Sequence, residues 1–276
     1  MEIYRIIKRI RIAYAEHIER FFYVNHYNIL MTLYINLKML PFRQAVRLPV
    51  SVYGWPRLYS LYGNFSCEKC YFGMVQLNKS VTGSPGACGG PLELNLWGEV
   101  KFRGKCEICS GSKITVGNNA VLDMGEGSRI LHQCNIAAYC GITVGAQSWI
   151  VHRCQLVDTN FHFIADFSKG HVNNIARPIK IGEYCWICNS STITGGAIIP
   201  DKTIVASNSL VGKDFSDIPS ESIVGGVPAR LISTGYRKID NTKWEGEIKK
   251  YFATHKDAPY FEFDNNVSHD ICNING

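Results

Sequence analysis

Histidine is the side chain in this sequence best suited to acid–base chemistry near neutral pH, because an unperturbed imidazole has a pKa of about 6.5. The chain contains eight histidines. His162 lies where a regular pattern of aliphatic residues is interrupted, in Val-Asp-Thr-Asn-Phe-His-Phe-Ile (157–164), and irregular loops on repetitive scaffolds commonly carry function. A histidine in this place could take the proton of a hydroxyl group, and Asp158 or Asn160 could orient its ring.

Two further sets of residues have the character of metal ligands. His132 and His152 occupy equal places in an Ile-x-His-x-Cys pattern, and we interpret them as a histidine ladder on the solvated outside of a repeat. Cysteines occur in three CxxC pairs: Cys67/Cys70, Cys106/Cys109 and Cys185/Cys188. The residues around these pairs indicate strands rather than zinc knuckles, and cysteine is also a small buried hydrophobe, so no metal site is predicted.

The composition indicates a globular protein with an uneven charge distribution. The 276 residues are 46% hydrophobic and 19% charged, with a net charge of +6, which excludes a disordered or fibrous chain. Residues 1–50 carry most of this net charge, since eight of their side chains are Lys or Arg and three are Glu. A basic segment beside a nearly neutral remainder favours attraction to an anionic surface and argues against a nucleic-acid-binding protein.

Neither a membrane span nor a cleavable signal is predicted. The most apolar window, residues 21–40, is interrupted by asparagine, histidine and lysine, which a membrane helix does not tolerate. Residues 1–14 lack a continuous apolar run and a small-residue cleavage site. The 11 cysteines are an odd number in a chain of this length, which fits reduced thiols. We therefore expect a cytoplasmic protein.

The elements that position these residues follow from an internal repeat. Aliphatic residues recur every six positions without a gap at Ile181, Ile187, Ile193, Ile199, Val205 and Val211. Neither a helix nor a simple strand produces this period, whereas a solenoid with three short strands per turn does. The later coils then contain 18 residues, and the earlier ones contain 20.

A small residue follows the aliphatic one by four positions in the same repeat. These small residues are Cys134, Ser148, Cys154, Ser191, Ala197, Thr203 and Ser209. A triangular solenoid has room for one large and one small inward side chain on each face. The pattern therefore predicts that Cys134 and Cys154 are interior packing residues.

Several segments resemble the left-handed parallel β-helix acyltransferases of the hexapeptide-repeat superfamily. They are Ile-Gly-Glu-Tyr-Cys-Trp-Ile-Cys-Asn (181–189), Ser-Asn-Ser-Leu-Val-Gly-Lys-Asp (207–214) and Gly-Gly-Val-Pro-Ala-Arg (225–230). The run 157–164, the long gap before Ile181 and the segment from Leu33 to Pro49 resemble the polysaccharide and lipopolysaccharide O-acetyltransferase branch.

The resemblance implies an all-β solenoid, a left-handed parallel β-helix with an N-terminal α-helical segment and a short C-terminal helix. We expect three parts. Residues 1–99 form a basic helical and irregular segment packed on the solenoid, and residues 100–235 form the β-helix acyltransferase domain. Residues 236–276 form a C-terminal helix that caps the last coil, followed by an irregular tail.

The resemblance also assigns roles at the site. His162 matches the catalytic histidine, with Asp158 and Asn160 left as alternative orienting partners. The positions that match acetyl-CoA-binding residues are Trp186 beside the thiol end, Asn189, Ser207 and Gly212 along the pantetheine, and Lys213 and Arg230 at the phosphates. Two departures affect this site: Ser233 stands where some relatives have a second arginine, and Asn208 replaces the usual glycine.

The function implied is that of an enzyme, an acyl-CoA-dependent O-acetyltransferase acting on a sugar hydroxyl in cell-surface polysaccharide biosynthesis. Acetyl-CoA is the expected co-substrate, with no metal required, and transfer is expected to be direct within a ternary complex. The implied partners are two further copies in a homotrimer and a sugar or lipid-linked glycan acceptor. The alternatives are an N-acyltransferase of an amino-sugar nucleotide, a non-catalytic binding protein and a metal-dependent β-helix lyase.

The basic N-terminal segment has two interpretations. In the first, residues 3–24 form a helix that packs on the trimer. In the other, residues 1–50 dock reversibly on anionic lipid and hold a cytoplasmic enzyme at the inner face of the membrane. The sequence leaves both open.

Overall fold

The computed structural model describes residues 26–80, 90–263 and Cys272. The helix expected over residues 3–24 lies outside these ranges. The described chain winds through three sheets in turn, so that every third strand of the solenoid returns to the same sheet. This arrangement confirms the predicted parallel β-helix.

Each of the three sheets is a stack of strands from successive coils. Sheet 1 contains β1 (Val50–Val52), β4 (Val75–Lys79), β7 (Cys106–Cys109), β10 (Arg129–Ile130), β13 (Trp149–Ile150), β18 (Trp186–Ile187), β21 (Ile204–Val205), β23 (Ser222–Gly226) and β24 (Ala229–Thr234). Sheet 2 contains β2 (Arg57–Leu61), β5 (Glu93–Leu96), β8 (Lys113–Val116), β11 (Asn135–Ala138), β14 (Gln155–Val157), β19 (Thr192–Thr194) and β22 (Leu210–Val211). Sheet 3 contains β3 (Asn64–Cys67), β6 (Glu99–Phe102), β9 (Val121–Met124), β12 (Ile142–Val144), β17 (Ile179–Ile181) and β20 (Ile198–Ile199).

The register of the sheets confirms the two coil lengths. Arg129 pairs with Trp149, one 20-residue coil further along, and Trp186 pairs with Ile204 across an 18-residue coil. Pairing is parallel throughout the solenoid, and only β24 returns antiparallel beside β23. Trp149 pairs with Trp186 because residues 158–178 leave the coil as an insertion.

The interior contains one large and one small side chain at each face, as predicted. In sheet 1, Ile130, Ile150 and Ile187 stack with no exposed surface. The small residues of the repeat are at most 2% exposed, Cys134 and Cys154 among them. Their polar atoms find partners in the coil; for example, the Ser148 hydroxyl donates to the Gly182 carbonyl at 2.7 Å.

The solenoid begins at Val50, and not near residue 100 as the repeat count suggests. Val50 pairs with Val75, and Val75 pairs with Cys106, so the first strands already belong to sheet 1. The predicted boundary between residues 1–99 and 100–235 is therefore wrong in the structure. These first coils are longer and irregular in length, which hides them from a search for a fixed period.

Helix α1 (Ile29–Met39) covers the first edge of sheet 1, and α2 (Phe42–Ala45) follows it. Asn36 is buried, and its amide group donates to the Val50 carbonyl and accepts from the Val50 N–H. The Thr32 hydroxyl accepts from the Val52 N–H at 3.0 Å. The helix thus supplies partners to backbone groups that an edge strand would otherwise expose.

A C-terminal helix, α3 (Thr242–Thr254), confirms the expected short helix, and the Asn241 side chain caps its first turn. The segment before it lies along the outer face of sheet 1, with the Lys238 ammonium 3.3 Å from the centroid of the Trp149 ring. Trp149 belongs to β13, several strands before the last coil, and the capping of that coil by α3 stays a prediction. No helix in residues 26–80 and 90–263 is both long and apolar enough to cross a membrane.

The histidine ladder is not a solvated face. His132 has no exposed surface, and its Nδ1 lies 3.2 Å from both the hydroxyl and the carbonyl oxygen of Ser110. His152 is half-buried, and burial lowers the pKa of its imidazole, with a smaller contribution from His132. The two rings follow each other at a corner of the coil, where packing against neighbouring coils excludes water.

Candidate active site

The insertion at residues 158–178 forms an antiparallel arm that leaves the solenoid at the corner between sheets 2 and 3, which we call the second corner. Its base is closed by a bridge between Thr159 and Ala176 and by a hydrogen bond from the Asn160 N–H to the Ile175 carbonyl at 2.8 Å. Further out, β15 (Ala165–Asp166) pairs with β16 (His171–Val172). The arm therefore has defined backbone pairing at both ends.

Asp158 anchors the arm to the preceding coil. Its side chain has no exposed surface, and its carboxylate accepts three backbone N–H groups, from Tyr139 at 2.8 Å, Cys140 at 2.7 Å and Gly141 at 2.7 Å. Charge-assisted bonds of this kind are among the stronger hydrogen bonds in proteins. Within the described residues, no hydrogen bond joins Asp158 to His162, so its role as the orienting partner stays a prediction.

His162 is exposed at a cleft of about 490 Å³ between the two halves of the arm. Asn160 lines the same cleft, whereas Asp158 does not. The geometry therefore favours Asn160 over Asp158 as the polar neighbour of the histidine, although no direct bond between these two side chains is present in the described structure. An accessible imidazole beside an amide is a suitable arrangement for proton transfer to a bound molecule.

The cleft also contains residues that sequence reasoning missed. Asn173, Asn174 and Arg177 lie opposite His162 on the returning half of the arm. Gly196 makes room for Arg177, because a Cβ atom at Gly196 would lie 2.9 Å from the guanidinium carbon. The signal in the sequence is the polar run that precedes Pro178, but that run lies outside the repeat and matches no expected position.

Two of the predicted cofactor positions lie at the second corner, on the C-terminal side of the arm. Gly212 and Lys213 follow β22, two strands beyond β14 in sheet 2. The Lys213 ammonium lies 4.6 Å from the centroid of the buried Phe215 ring. Among the described residues, Lys213 has no acidic partner.

Three of the other predicted cofactor positions lie on the opposite side of sheet 2, at the corner between sheets 1 and 2, which we call the first corner. Asn189 and Ser207 belong to successive coils there, and the Ser207 hydroxyl donates to the Asn189 side chain at 2.8 Å. Trp186 is half-buried on the outer face of β18. Arg230 is exposed and pairs with Gly225 across the β23–β24 ladder. Gly225 in turn lies against Ala206, the residue before Ser207.

Asn208 fits the first corner despite replacing the expected glycine. Its φ of 58° lies in the left-handed region, as do the φ angles of Gln133, Arg153 and Ser190 in the same column of turns. Asparagine adopts this conformation more readily than most other residues. Asn208 can therefore adopt the turn conformation expected of a glycine beside Ser207.

One copy of the chain does not bring the predicted residues into one site. His162, Gly212 and Lys213 lie at the second corner, Asn189, Ser207 and Arg230 lie at the first, and Trp186 lies on β18 in sheet 1. Six residues of extended chain separate the two corners, which corresponds to about 15–20 Å. The two groups therefore lie on separate corners of one copy.

The interior cysteines do not offer a competing nucleophile. Burial raises the pKa of the Cys185 thiol to about 12 and the pKa of the Cys154 thiol to about 11. A thiol must be deprotonated to attack a thioester, and these thiols stay protonated near neutral pH. The imidazole of His162 is therefore the better candidate for the reacting group.

Sequence comparison finds related proteins for part of the chain. A segment of 111 residues, 40% of this chain, is 32% identical to the putative colanic acid biosynthesis acetyltransferase WcaF of Escherichia coli (strain K12). A segment of 143 residues, 49% of this chain, is 22% identical to the putative lipopolysaccharide biosynthesis O-acetyl transferase WbbJ of the same organism and covers 71% of it. Part of this chain is therefore similar to two bacterial proteins named as acetyltransferases of polysaccharide biosynthesis.

The extent of these matches is limited. The chain spans 57% of the length of WcaF, and no family model matches the chain. Among solved structures, the polysialic acid O-acetyltransferase OatWY is similar with a TM-score of 0.46 and 18% identity, over 72% of this chain and 100% of that one. The predicted resemblance to polysaccharide acetyltransferases is confirmed by the sequence relatives.

We predict that Asp158→Ala lowers the free energy of unfolding by about 3 kcal/mol, because it leaves three backbone N–H groups without an acceptor. Urea denaturation measures this change. Asp166→Ala is the matched control, since Asp166 is an acidic residue of the same arm whose bonds are exposed and local. Full stability with abolished activity in Asp158→Ala would contradict the anchoring role and support a direct role beside His162.

Proposed function

We propose that this protein is an acyl-CoA-dependent O-acetyltransferase that transfers an acetyl group to a sugar hydroxyl during cell-surface polysaccharide biosynthesis. The observation that carries the proposal is an exposed His162 beside Asn160, in a cleft formed where the repeat is interrupted. Its support is the sequence similarity of part of this chain to WcaF and WbbJ.

In the proposed reaction, His162 accepts the proton of the acceptor hydroxyl while the hydroxyl oxygen attacks the thioester carbonyl. Backbone N–H groups of the site stabilise the negative charge on the carbonyl oxygen. The tetrahedral intermediate that this attack forms then collapses and breaks its carbon–sulfur bond. The imidazolium returns its proton to the coenzyme A thiolate that leaves. The transfer needs no covalent enzyme intermediate, and Asn160 acts by holding the imidazole in position.

Acetyl-CoA is the proposed donor substrate. Lys213 and Arg230 are exposed cations without an acidic partner in the described structure, and such side chains suit the phosphates of the donor. The pantetheine arm runs past Asn189, Ser207 and Gly212, and Trp186 lies beside the thiol end. The hydroxyl and amide groups of the first corner already form one polar contact along this path.

A homotrimer is the proposed assembly, because the two groups of site residues lie on opposite corners of one chain. The arm supports this proposal, since it exposes large apolar side chains that a neighbouring copy could cover. These residues are between 57% and 96% exposed: Phe163, Ile164, Phe167 and Val172. A monomer would leave this apolar arm in water, which is unfavourable.

The proposed membrane contact has a surface in helix α1. Its outer face presents large apolar side chains that are 40–65% exposed: Ile29, Leu30, Leu33, Tyr34 and Leu37. Lys38, Arg43 and Arg47 flank this face. An apolar stripe edged by cations is typical of helices that lie in the interface of an anionic bilayer, and this placement would bring the enzyme to lipid-linked glycans.

For the enzyme, we predict that His162→Ala lowers the rate of acetyl transfer by about 10³-fold, the usual contribution of a general base. Release of coenzyme A thiol is measured with acetyl-CoA and the base-deacetylated surface polysaccharide of the producing cell. His171→Ala, an exposed histidine of the same arm, should stay near the wild-type rate. The proposal fails if His162→Ala retains transfer, and unchanged binding of coenzyme A by calorimetry verifies that the variant is folded.

For the membrane contact, we predict that the protein sediments with phosphatidylglycerol-rich vesicles but not with phosphatidylcholine vesicles. Leu33→Glu with Leu37→Glu should weaken binding at least about tenfold, because two buried leucines are lost. Tyr260→Glu is the control, since Tyr260 is 62% exposed elsewhere in the chain. Equal sedimentation of wild type and double variant would contradict a lipid contact of this face, and loss of trimers in the variant would instead assign the face to another copy.

A further inference from the structure

Large aromatic side chains line the second corner on the N-terminal side of the arm. Tyr62 follows β2, Trp97 follows β5, Tyr139 follows β11, and Phe161 lies at the base of the arm after β14. These rings are 74%, 45%, 43% and 55% exposed, respectively. We call this set the aromatic edge.

Contacts between neighbouring rings hold the aromatic edge in place. The Tyr62 and Trp97 ring centroids are 4.6 Å apart, and the Tyr139 and Phe161 centroids are 5.2 Å apart with the rings perpendicular. The Trp97 indole N–H donates to the Asn95 side chain at 3.1 Å. The edge is therefore a preformed surface and not a set of independent side chains.

A glycine allows the edge to continue between its two pairs of rings. Gly117 occupies the corner position between Trp97 and Tyr139, and a Cβ atom there would lie 2.8 Å from Cδ1 of Tyr139. The Tyr139 ring thus packs closely against Gly117 of the preceding coil. From Tyr62 to the arm, the edge crosses four strand spacings of sheet 2, or roughly 19 Å at ~4.8 Å each.

A polar groove runs beside the rings on the outer face of sheet 2. It encloses about 480 Å³ and includes Tyr139 and Phe161 in its wall. Its other walls carry amide, hydroxyl and ammonium groups from Asn95, Lys113, Thr115, Gln133 and Asn135. The nearest cations are balanced by an acid, because Glu93 lies 3.1 Å from Arg57 and 3.9 Å from Lys113.

This combination suits a carbohydrate chain. A sugar ring has an apolar face of C–H groups that packs on an aromatic ring, and a rim of hydroxyls that needs hydrogen-bond donors and acceptors. A nucleic acid would need unpaired cations along its phosphates, and a lipid surface would not need the amide groups of the groove. The aromatic edge and the groove offer both properties of a glycan site next to His162.

We propose that the aromatic edge binds the acceptor as an extended oligosaccharide of several sugar residues and presents one of its hydroxyls to His162. The reaction at His162 rests on the proposed function, whereas the glycan contact does not. A site for a single sugar would need only the cleft between the two halves of the arm. The length of the edge therefore indicates that acetylation follows the assembly of sugars into a chain.

The test uses the surface polysaccharide of the producing cell, freed of acetyl groups by mild base and cut into fragments of graded length. Calorimetry on the full-length protein should give a Kd that falls with fragment length. Trp97→Ala should raise the Kd for long fragments about tenfold and leave the Kd for the shortest fragment unchanged. Trp55→Ala is the matched control, because Trp55 is 62% exposed and lies away from the edge.

Kinetics separate this inference from the proposed function. For long acceptors, Trp97→Ala should raise KM about tenfold with kcat unchanged. If wild type binds long fragments but transfers no acetyl group, the enzyme proposal fails and the glycan site stands. The glycan site is overturned if wild type binds no fragment, if Kd is independent of length or of Trp97, or if Trp97→Ala changes the oligomeric mass and so marks a subunit contact.

Discussion

The width of the solenoid interior is the constraint on which the rest of the structure depends. Each of the three faces has room for one large and one small inward side chain. The position of Ile150 therefore requires a large side chain, and the position of Cys154 requires a small one. Because the coil must close on itself, any irregular segment has to leave at a corner. The arm at residues 158–178 is such a departure, and the buried Asp158 carboxylate secures its exit by binding the turn of the coil before it.

The same constraint distributes the chemistry. Corners are the positions where side chains can point outward without disturbing the sheets, and the candidate site residues lie in two such columns. The second corner carries His162, Lys213 and the aromatic edge, and the first corner carries Asn189, Ser207 and Arg230. A rigid coil keeps these columns apart, so assembly of several copies is the economical way to bring acid–base chemistry, donor contacts and acceptor contacts together.

The sequence predicts the regular part of this arrangement because the regular part is local. A six-residue period identifies the coils, their interior residues and the interruption that contains His162. Contacts between distant residues escape such a search: the three N–H groups bound by Asp158, the position of Arg177 over Gly196, and the burial of His132 against Ser110. The first coils escape it too, since their register from Val50 to Val75 and Cys106 follows no fixed spacing.

The proposed transfer of acetyl groups at a junction between two copies of the chain is tested directly with mixed assemblies. His162→Ala and Arg230→Glu chains with different tags are co-expressed, and assemblies that contain both are purified and assayed. If each junction combines the second corner of one copy with the first corner of the next, one of the three junctions in every mixed trimer has both corners intact. A shared site should therefore give such trimers about one third of wild-type activity, whereas mixed trimers as inactive as either variant alone would rule out a site shared between copies.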